Sequence, residues 1–377
     1  GKQVLLVERA AFPREKPCSE YLGPEAVRLL DRLGVVQDLE AAGANPLAGT
    51  TVIASGGSRL TGLFALAGHQ PFRATGLSVA RRILDARLAT AAAENGATVI
   101  ERTTLEELLY QEGGVSGAVL RDAAGVRRAV HARLTVGADG LRSIVARRIG
   151  RRHHGRPSRI AFVGHFEGVA GLEHTAEMHV GTRGYVGLNA IGNGVTNVAL
   201  VVPRALAATA RGRRESFFHD ALATYAGVAH RVDARRAVGE IMVTGPFAAT
   251  SSRVIAPGAL LVGDAADFFD PFTGEGIFSA LLGAELAAAT ALDALAVPGA
   301  ITLERLAGYR TARRRAFSGK WAVERLLGYG MLLPALFDHA VARLARRGLA
   351  HTLIGVTGDF VPAREVLNPS FLARMIF

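Results

Sequence analysis

The chain opens with an apolar run, Val4 to Val7, that ends in Glu8 and reads as a buried strand delivering a carboxylate. From Phe12 to Glu20 two prolines and the lack of any alternation predict a loop. Pro24 starts a helix whose apolar spacing through Val27, Leu30 and Leu33 stops at Gly34. A second helix covers about Arg81 to Asn95, with Ile83, Leu84 and Leu88 on one face and Gly96 as its stop. Short strands follow near Thr98 to Arg102, Val115 to Arg121 and Arg127 to Val136. Longer ones follow at Ile160 to Glu167, Glu177 to Val180, Gly184 to Ile191 and Thr196 to Val202. After Leu260-Leu261-Val262 the βα pattern returns, and everything beyond Ile277 reads as helix with glycine and proline breaks.

This order predicts an α/β fold in which residues 1–155 and 247–320 form one discontinuous, three-layer domain on a mostly parallel sheet. An antiparallel-sheet substrate domain spans 156–246, with 50–75 as a candidate addition, and 321–377 is a C-terminal helical region. In a dinucleotide-binding βαβ unit an acidic residue follows a glycine fingerprint by roughly 20 residues, and Glu8 fits that place. The strand, Gly-x-Gly-x-x-Gly turn and helix expected before it are absent, so a missing first βα unit is expected, from a truncated product or an incomplete sequence. A real truncation would impair pyrophosphate binding.

Charge narrows the partners only in part. With 44 basic and 33 acidic side chains the net charge is +11, which favours anions. Aromatics at 6% with no Lys/Arg/aromatic repeat argue against a nucleic-acid platform. The single cysteine, Cys18, excludes an internal disulfide framework and a cysteine-based zinc cage, and fits the cytoplasm. The histidine spacings match no metal signature, so no metal is expected. The apolar run Leu326 to Phe337 is broken by Gly328, Gly330 and Pro334 and is too short to span a bilayer. The basic, apolar helices from Arg325 to Arg347 suit either peripheral contact with anionic membrane or packing on the rest of the fold.

The strongest chemical signal is Leu260-Leu261-Val262-Gly263-Asp264-Ala265-Ala266, then Asp270-Pro271-Phe272-Thr273-Gly274-Glu275-Gly276-Ile277 and an Ala-rich helix. A buried strand delivers a carboxylate, and a glycine turn opens a helix N-terminus whose free N–H groups suit developing negative charge. The second signal, Val136-Gly137-Ala138-Asp139-Gly140-Leu141-Arg142-Ser143, is a strand and tight turn before a helix that Asp139 or Ser143 can cap.

Together these motifs resemble the p-hydroxybenzoate-hydroxylase-type FAD superfamily of group A monooxygenases, flavin-dependent halogenases and geranylgeranyl reductases. Lys16-Pro17-Cys18 with the Asp270 to Gly276 segment looks closest to the geranylgeranyl-reductase-like branch. The resemblance implies a Rossmann-like FAD-binding domain and a cofactor set of Glu8, Arg9, Arg81, Asp139, Gly140, Gly263, Asp264, Gly274, Gly276 and Ile277. Within it, Glu8 falls on the adenosine ribose, Arg81 beside the FAD, Asp139 in the motif shared by FAD and NAD(P)H, and Asp264 on the ribityl chain. Backbone at Gly276 and Ile277 faces the flavin ring.

Departures from the family patterns refine the expectation. The halogenase Trp-x-Trp-x-Ile-Pro motif is missing, since the one tryptophan is Trp321. Of the prenyl-reductase Tyr-x-Trp-x-Phe-Pro pattern only Tyr185 remains. By elimination the expected activity is an NAD(P)H- and O2-dependent monooxygenase acting on a small hydrophobic or aromatic substrate. C=C reduction of a prenyl or polyene lipid is the alternative, and a truncated non-catalytic paralogue a third reading. Tyr185 and Cys18 are the catalytic candidates, and Phe268, Phe272 and Tyr185 the candidate pocket.

Overall fold

The computed structural model describes residues 1–172 and 174–376. Its largest sheet has seven strands in the order Ala237–Thr244, Arg159–Glu167, Val195–Pro203, Gly184–Ala190, Thr175–Gly181, Gly49–Ile53 and Arg59–Leu63. Neighbours run antiparallel except Thr175–Gly181 with Gly49–Ile53, which are parallel. Strand alternation sorts the side chains into two cores. Ala161, Val163 and Val201 pack with Val323, Phe337, Val341 and Leu344 of the C-terminal helices. Phe162, Phe166, Val198 and Leu200 pack with Phe217 and Phe218 of the helix Arg214–Leu222. Each fully buried phenylalanine there contributes roughly 1.5–3 kcal/mol of transfer free energy.

The rest of the α/β body is assembled from short pieces. Leu5–Val7 pairs in parallel with Thr98–Ile100, and Thr135–Gly137 pairs in parallel with Ala259–Leu261. A ribbon of Thr104–Gln111, Gly114–Arg121 and Arg127–His131 flanks them. The first of these strands escapes a reading by alternation because register shifts at Leu105/Glu107 and Leu109/Tyr110 break its period. The stretch expected as one strand from Arg127 to Val136 is two, Arg127–His131 and Thr135–Gly137, and they belong to different sheets.

The expected boundary at 320/321 falls inside a helix of 28 residues, Leu303–Gly330. Gly319 does not stop this helix; it admits a neighbour, because an added Cβ would lie 2.8 Å from the methyl of Ala363. The helix packs along Gly276–Ala296. By length and composition Gly276–Ala296 is the one described helix apolar enough to cross a bilayer, yet it begins at the Asp270–Glu275 turn and buries Phe278, Gly283, Ala287 and Ala294 in the body of the fold.

Candidate active site

The segment from Leu261 to Gly276 is fixed from two sides. Gly263 takes a left-handed φ of 55° where the strand Ala259–Leu261 gives way to a tight turn. Asp270 caps the next turn by accepting a hydrogen bond from the Phe272 amide at 3.1 Å, and Gly274, at φ 73°, leads into the helix Gly276–Ala296. On the sheet side, the buried Asp270 carboxylate accepts from Arg159 Nη1 at 2.6 Å and from the Tyr185 hydroxyl at 2.6 Å. Burial, and then the Asp270 charge, hold that hydroxyl well above the usual tyrosine range. Arg159 also reaches the Gly328 carbonyl at 3.2 Å, so one ion pair joins sheet, turn and long helix.

The helix Leu303–Gly330 holds the opposite side. Tyr309 donates to the Leu261 carbonyl at 2.7 Å, while Arg313 and Trp321 both reach Asp267, at 2.6 and 3.2 Å. Lys320 pairs with Glu275 and, at 3.3 Å, with Asp359. Burial alone would lower its pKa, but the charges of Asp359 and Glu275 outweigh that and raise it. Burial pushes the Asp359 and Glu324 carboxyls up to about 7, against the opposing field of Lys320.

Charged groups converge at the strand ends. Glu8 accepts from the Ala10 amide and from Arg14, both at 3.0 Å; Arg14 continues to Asp85 at 2.8 Å, and Asp85 receives Arg81 through two bonds of 2.8 Å. Asp264 has no side-chain hydrogen bond among the described residues, and burial raises its pKa against the fields of Lys16, Arg81 and Arg152. Lys16 is lowered by burial and then by Arg81. Arg152 binds the carbonyls of Asp264 and Ala265 at 2.5 and 2.6 Å and lies within the field of Asp139. Asp139 itself accepts from Ser143 Oγ at 2.5 Å and from the Ile144 amide at 2.6 Å, so it caps the helix Ile144–Ile149.

The loop carrying Lys16 and Cys18 is pinned to the large sheet. Asn197 donates to the Cys18 carbonyl at 2.7 Å and Asn189 to the Ser19 carbonyl at 3.0 Å. Glu20, at φ 57°, accepts from the Arg81 amide at 2.7 Å, His165 Nε2 at 2.8 Å and Asn197 at 2.9 Å. Glu15, Glu20 and His165 come within 4.8 Å of one another, a grouping with metal-ligand chemistry. Glu20 is already engaged, since the Asn197 N–H and the His165 ring nitrogen meet one of its oxygens and the Arg81 amide the other.

Beside this hub lies a cavity of about 220 Å³. Its floor includes Phe272, Thr273 and Gly274, and its walls are apolar residues of the large sheet and of the C-terminal helices, among them Val52, Leu60, Leu327, Phe337, Val341 and Ile354. Thr273 Oγ1 is buried there without a hydrogen-bond partner. Tyr21 donates to or accepts from Thr50 at 3.2 Å on the same wall.

Of the residues singled out from sequence, Glu8, Arg81, Asp264 and, through Arg152, Asp139 are brought to one end of the strands. Arg9 is exposed, and no ion pair or hydrogen bond involves its side chain among the described residues. Gly140 has φ 72° with open space where a side chain would stand, whereas a Cβ on Gly276 would approach the Phe268 ring at 3.1 Å. Ile277 lies in the first turn of its helix, packed toward the helix Pro24–Arg32. Two of the candidate pocket residues lie away from this cavity. Tyr185 does not line the cavity, because its ring is buried behind Phe272 at 5.2 Å and its hydroxyl is committed to Asp270. Phe268 does not line it either; it packs on Phe247 at 5.4 Å. Cys18 is half-buried, its sulfur 3.4 Å from the Glu20 amide. Lys16, Glu20, Arg152, Arg159, Asn189 and Asn197 went unassigned in the sequence, where only Lys16 gave a hint, through the Lys16-Pro17-Cys18 motif.

A family model described as FAD binding domain matches residues 1–318. The chain belongs to this FAD-binding family. It is 31% identical over 282 residues to digeranylgeranylglycerophospholipid reductase 2 of Methanothermobacter thermautotrophicus, covering 72% of this chain and 68% of that one. It is 28% identical over 351 residues to menaquinone reductase of Mycolicibacterium smegmatis, covering 89% and 80%. The fold also matches the myxobacterial chondrochloren halogenase, with TM-score 0.79, 25% identity and coverage of 87% and 77%. A geranylgeranyl bacteriochlorophyll reductase-like protein from Thermoplasma acidophilum matches with TM-score 0.76 and 19% identity over 99% of this chain and 92% of that one. The protein is an FAD-dependent oxidoreductase with a Rossmann-like α/β fold.

Two outcomes follow for stability in this flavoprotein. Asp270→Asn leaves Arg159 buried without its counter-charge and should cost about 3–5 kcal/mol, whereas Tyr185→Phe removes one hydrogen bond to a charged group and should cost about 1.5–3 kcal/mol, both read by urea denaturation. Glu324 and Asp359 hold protons to about pH 7 in the folded chain but release them near 4.5 and 3.8 when unfolded. Their contribution is therefore full below the ordinary carboxylate range and is lost as pH rises through about 7. Denaturation midpoints of Glu324→Gln should fall less steeply across that window than those of the unmodified protein.

Proposed function

We infer that the protein saturates C=C bonds of a prenyl or polyene lipid, using FAD reduced by NAD(P)H, in the cytoplasm. The observation that carries this reading is the apolar cavity ending on Phe272-Thr273-Gly274, walled by the sheet on one side and by C-terminal helices on the other. A long hydrocarbon chain gains from such a surface about 25 cal/mol for each Å² removed from water. The names of the reductases above, which act on a geranylgeranyl lipid and on menaquinone, support the same substrate class.

The residues at the strand ends fit the cofactor. The Asp264 carboxylate has no hydrogen-bond donor among the described residues, Lys16 and Arg81 stand close enough to act on its charge, and the Gly276 helix start offers free amides. In this assignment Glu8 takes the adenosine ribose, Lys16 and Arg81 lie along the FAD, and Asp264 accepts from the ribityl chain. Asp139 and Gly140 hold the neighbouring turn open, and Gly263, Gly274, Gly276 and Ile277 present backbone to the ring. FAD when bound and reduced supplies the hydride. The chain's own part is to orient the lipid on the Phe272 turn, exclude water from it and stabilise negative charge at the helix start.

A second reading, hydroxylation of a hydrophobic substrate with O2, is favoured by the likeness to the chondrochloren halogenase and by the same apolar cavity. One assay separates the two. Under anaerobic conditions with NAD(P)H, a geranylgeranyl lipid should gain pairs of hydrogens by mass spectrometry; a product carrying oxygen, formed only in air, would replace the first reading by the second. Lys16→Met should weaken FAD binding roughly tenfold, measured by flavin fluorescence quenching. An unchanged affinity would remove Lys16 from the cofactor site.

A further inference from the structure

The helices Leu303–Gly330 and Pro334–Arg346 meet at a turn that projects apolar side chains into solvent. Leu332 and Leu333 are 54% and 57% exposed, and Tyr329 and Leu336 are also exposed. The end of the last helix joins this corner, because His339 Nε2 bonds the Ile376 carbonyl at 2.7 Å and Ile376 is exposed as well. Leu336 and Ile376 line the cavity while remaining open to solvent, so they mark its mouth. The corner is fixed, since Tyr329 donates to the Arg156 carbonyl at 2.8 Å and the Phe337 amide returns to the Leu333 carbonyl at 2.9 Å.

Positive charge lies on the elements that carry these apolar groups. Arg325, Arg346, Arg347 and Arg374 are exposed on the same elements. Between residues 325 and 347 the one acidic side chain is Asp338, and its two oxygens are taken by the amide and hydroxyl of Ser58. Exposed leucines on helices that also carry exposed arginines suit a surface that offers hydrocarbon beneath anionic headgroups, since apolar burial and attraction to anionic lipid add in such contacts. A protein partner would also cover leucines, but it would not account for the cavity opening beside them at Leu336 and Ile376.

The geometry points to this corner as a membrane-docking surface: Leu332 and Leu333 enter the interface of an anionic bilayer, the arginines rest on its headgroups, and the cavity mouth at Leu336 and Ile376 faces the hydrocarbon. A prenyl chain then passes from bilayer to the Phe272 turn without crossing water. This inference rests on the lipid-substrate reading for its purpose, although docking itself is measured without turnover.

The test uses the full FAD-loaded chain, co-sedimented with vesicles of phosphatidylcholine alone or mixed with phosphatidylglycerol. Binding should require phosphatidylglycerol and weaken with added salt. The double variant Leu332→Ser/Leu333→Ser should bind those vesicles roughly tenfold less or weaker still. On a short, detergent-dispersed prenyl substrate the variant should turn over like the parent, and on a vesicle-borne substrate it should fall by about the same factor as its binding. Vesicle binding without turnover of any prenyl substrate would keep the docking surface and sink the substrate reading. Equal binding of parent and variant, or no binding to anionic vesicles, would overturn the docking surface. So would self-association of the parent that the variant abolishes, which would assign the leucines to a second copy of the chain.

Discussion

The buried carboxylate of Asp270 is the point on which the architecture turns. It meets Arg159 from one strand of the large sheet, Tyr185 from another and the amide of Phe272 in its own turn, while Arg159 extends the contact to the Gly328 carbonyl of the long helix. A buried ion pair of this kind is weak evidence for net stability, because desolvation offsets much of its attraction. Its value here is positional. Three elements far apart in sequence are held to one turn, and neither Arg159 nor Asp270 can leave without stranding the other's buried charge.

That turn is the common wall between two environments. On one side lie the carboxylates and cations of the strand ends, Glu8, Asp85, Arg14, Lys16, Arg81 and Asp264. On the other lies a cavity whose lining is almost wholly hydrocarbon. The helix Leu303–Gly330 backs the wall through Tyr309, Arg313, Trp321 and Lys320, each reaching the segment between Leu261 and Glu275. A flavoenzyme acting on a nonpolar substrate needs this separation, because a hydrocarbon sharing the pocket would strip water from the charges that hold a dinucleotide, at a large desolvation cost.

The sequence made the local parts legible. Gly263-Asp264 and the Pro271 to Gly276 turn were readable because strand, turn and helix start are adjacent in the chain, and Asp139 was readable as a cap for the same reason. Partners separated by a hundred residues or more were not. Arg159 and Asp270 are 111 positions apart, and His165 and Glu20 are 145 apart; nothing in the periodicity of either element names the other. Tyr185 shows the cost: an alternating strand says which face a side chain takes, but not that a carboxylate waits behind it. The C-terminal helices were likewise readable as amphipathic, yet their partner, the face of the large sheet that carries Val163 and Val201, appears only in three dimensions.

The central claim is that the Phe272 turn brings an apolar substrate against the cofactor. It is tested most directly by recording the visible spectrum of the FAD-loaded protein while a geranylgeranyl lipid is added without air or reductant. The account predicts a saturable shift of the flavin bands that follows lipid binding measured in parallel by equilibrium dialysis. Lipid that binds stoichiometrically and leaves those bands unmoved would contradict it.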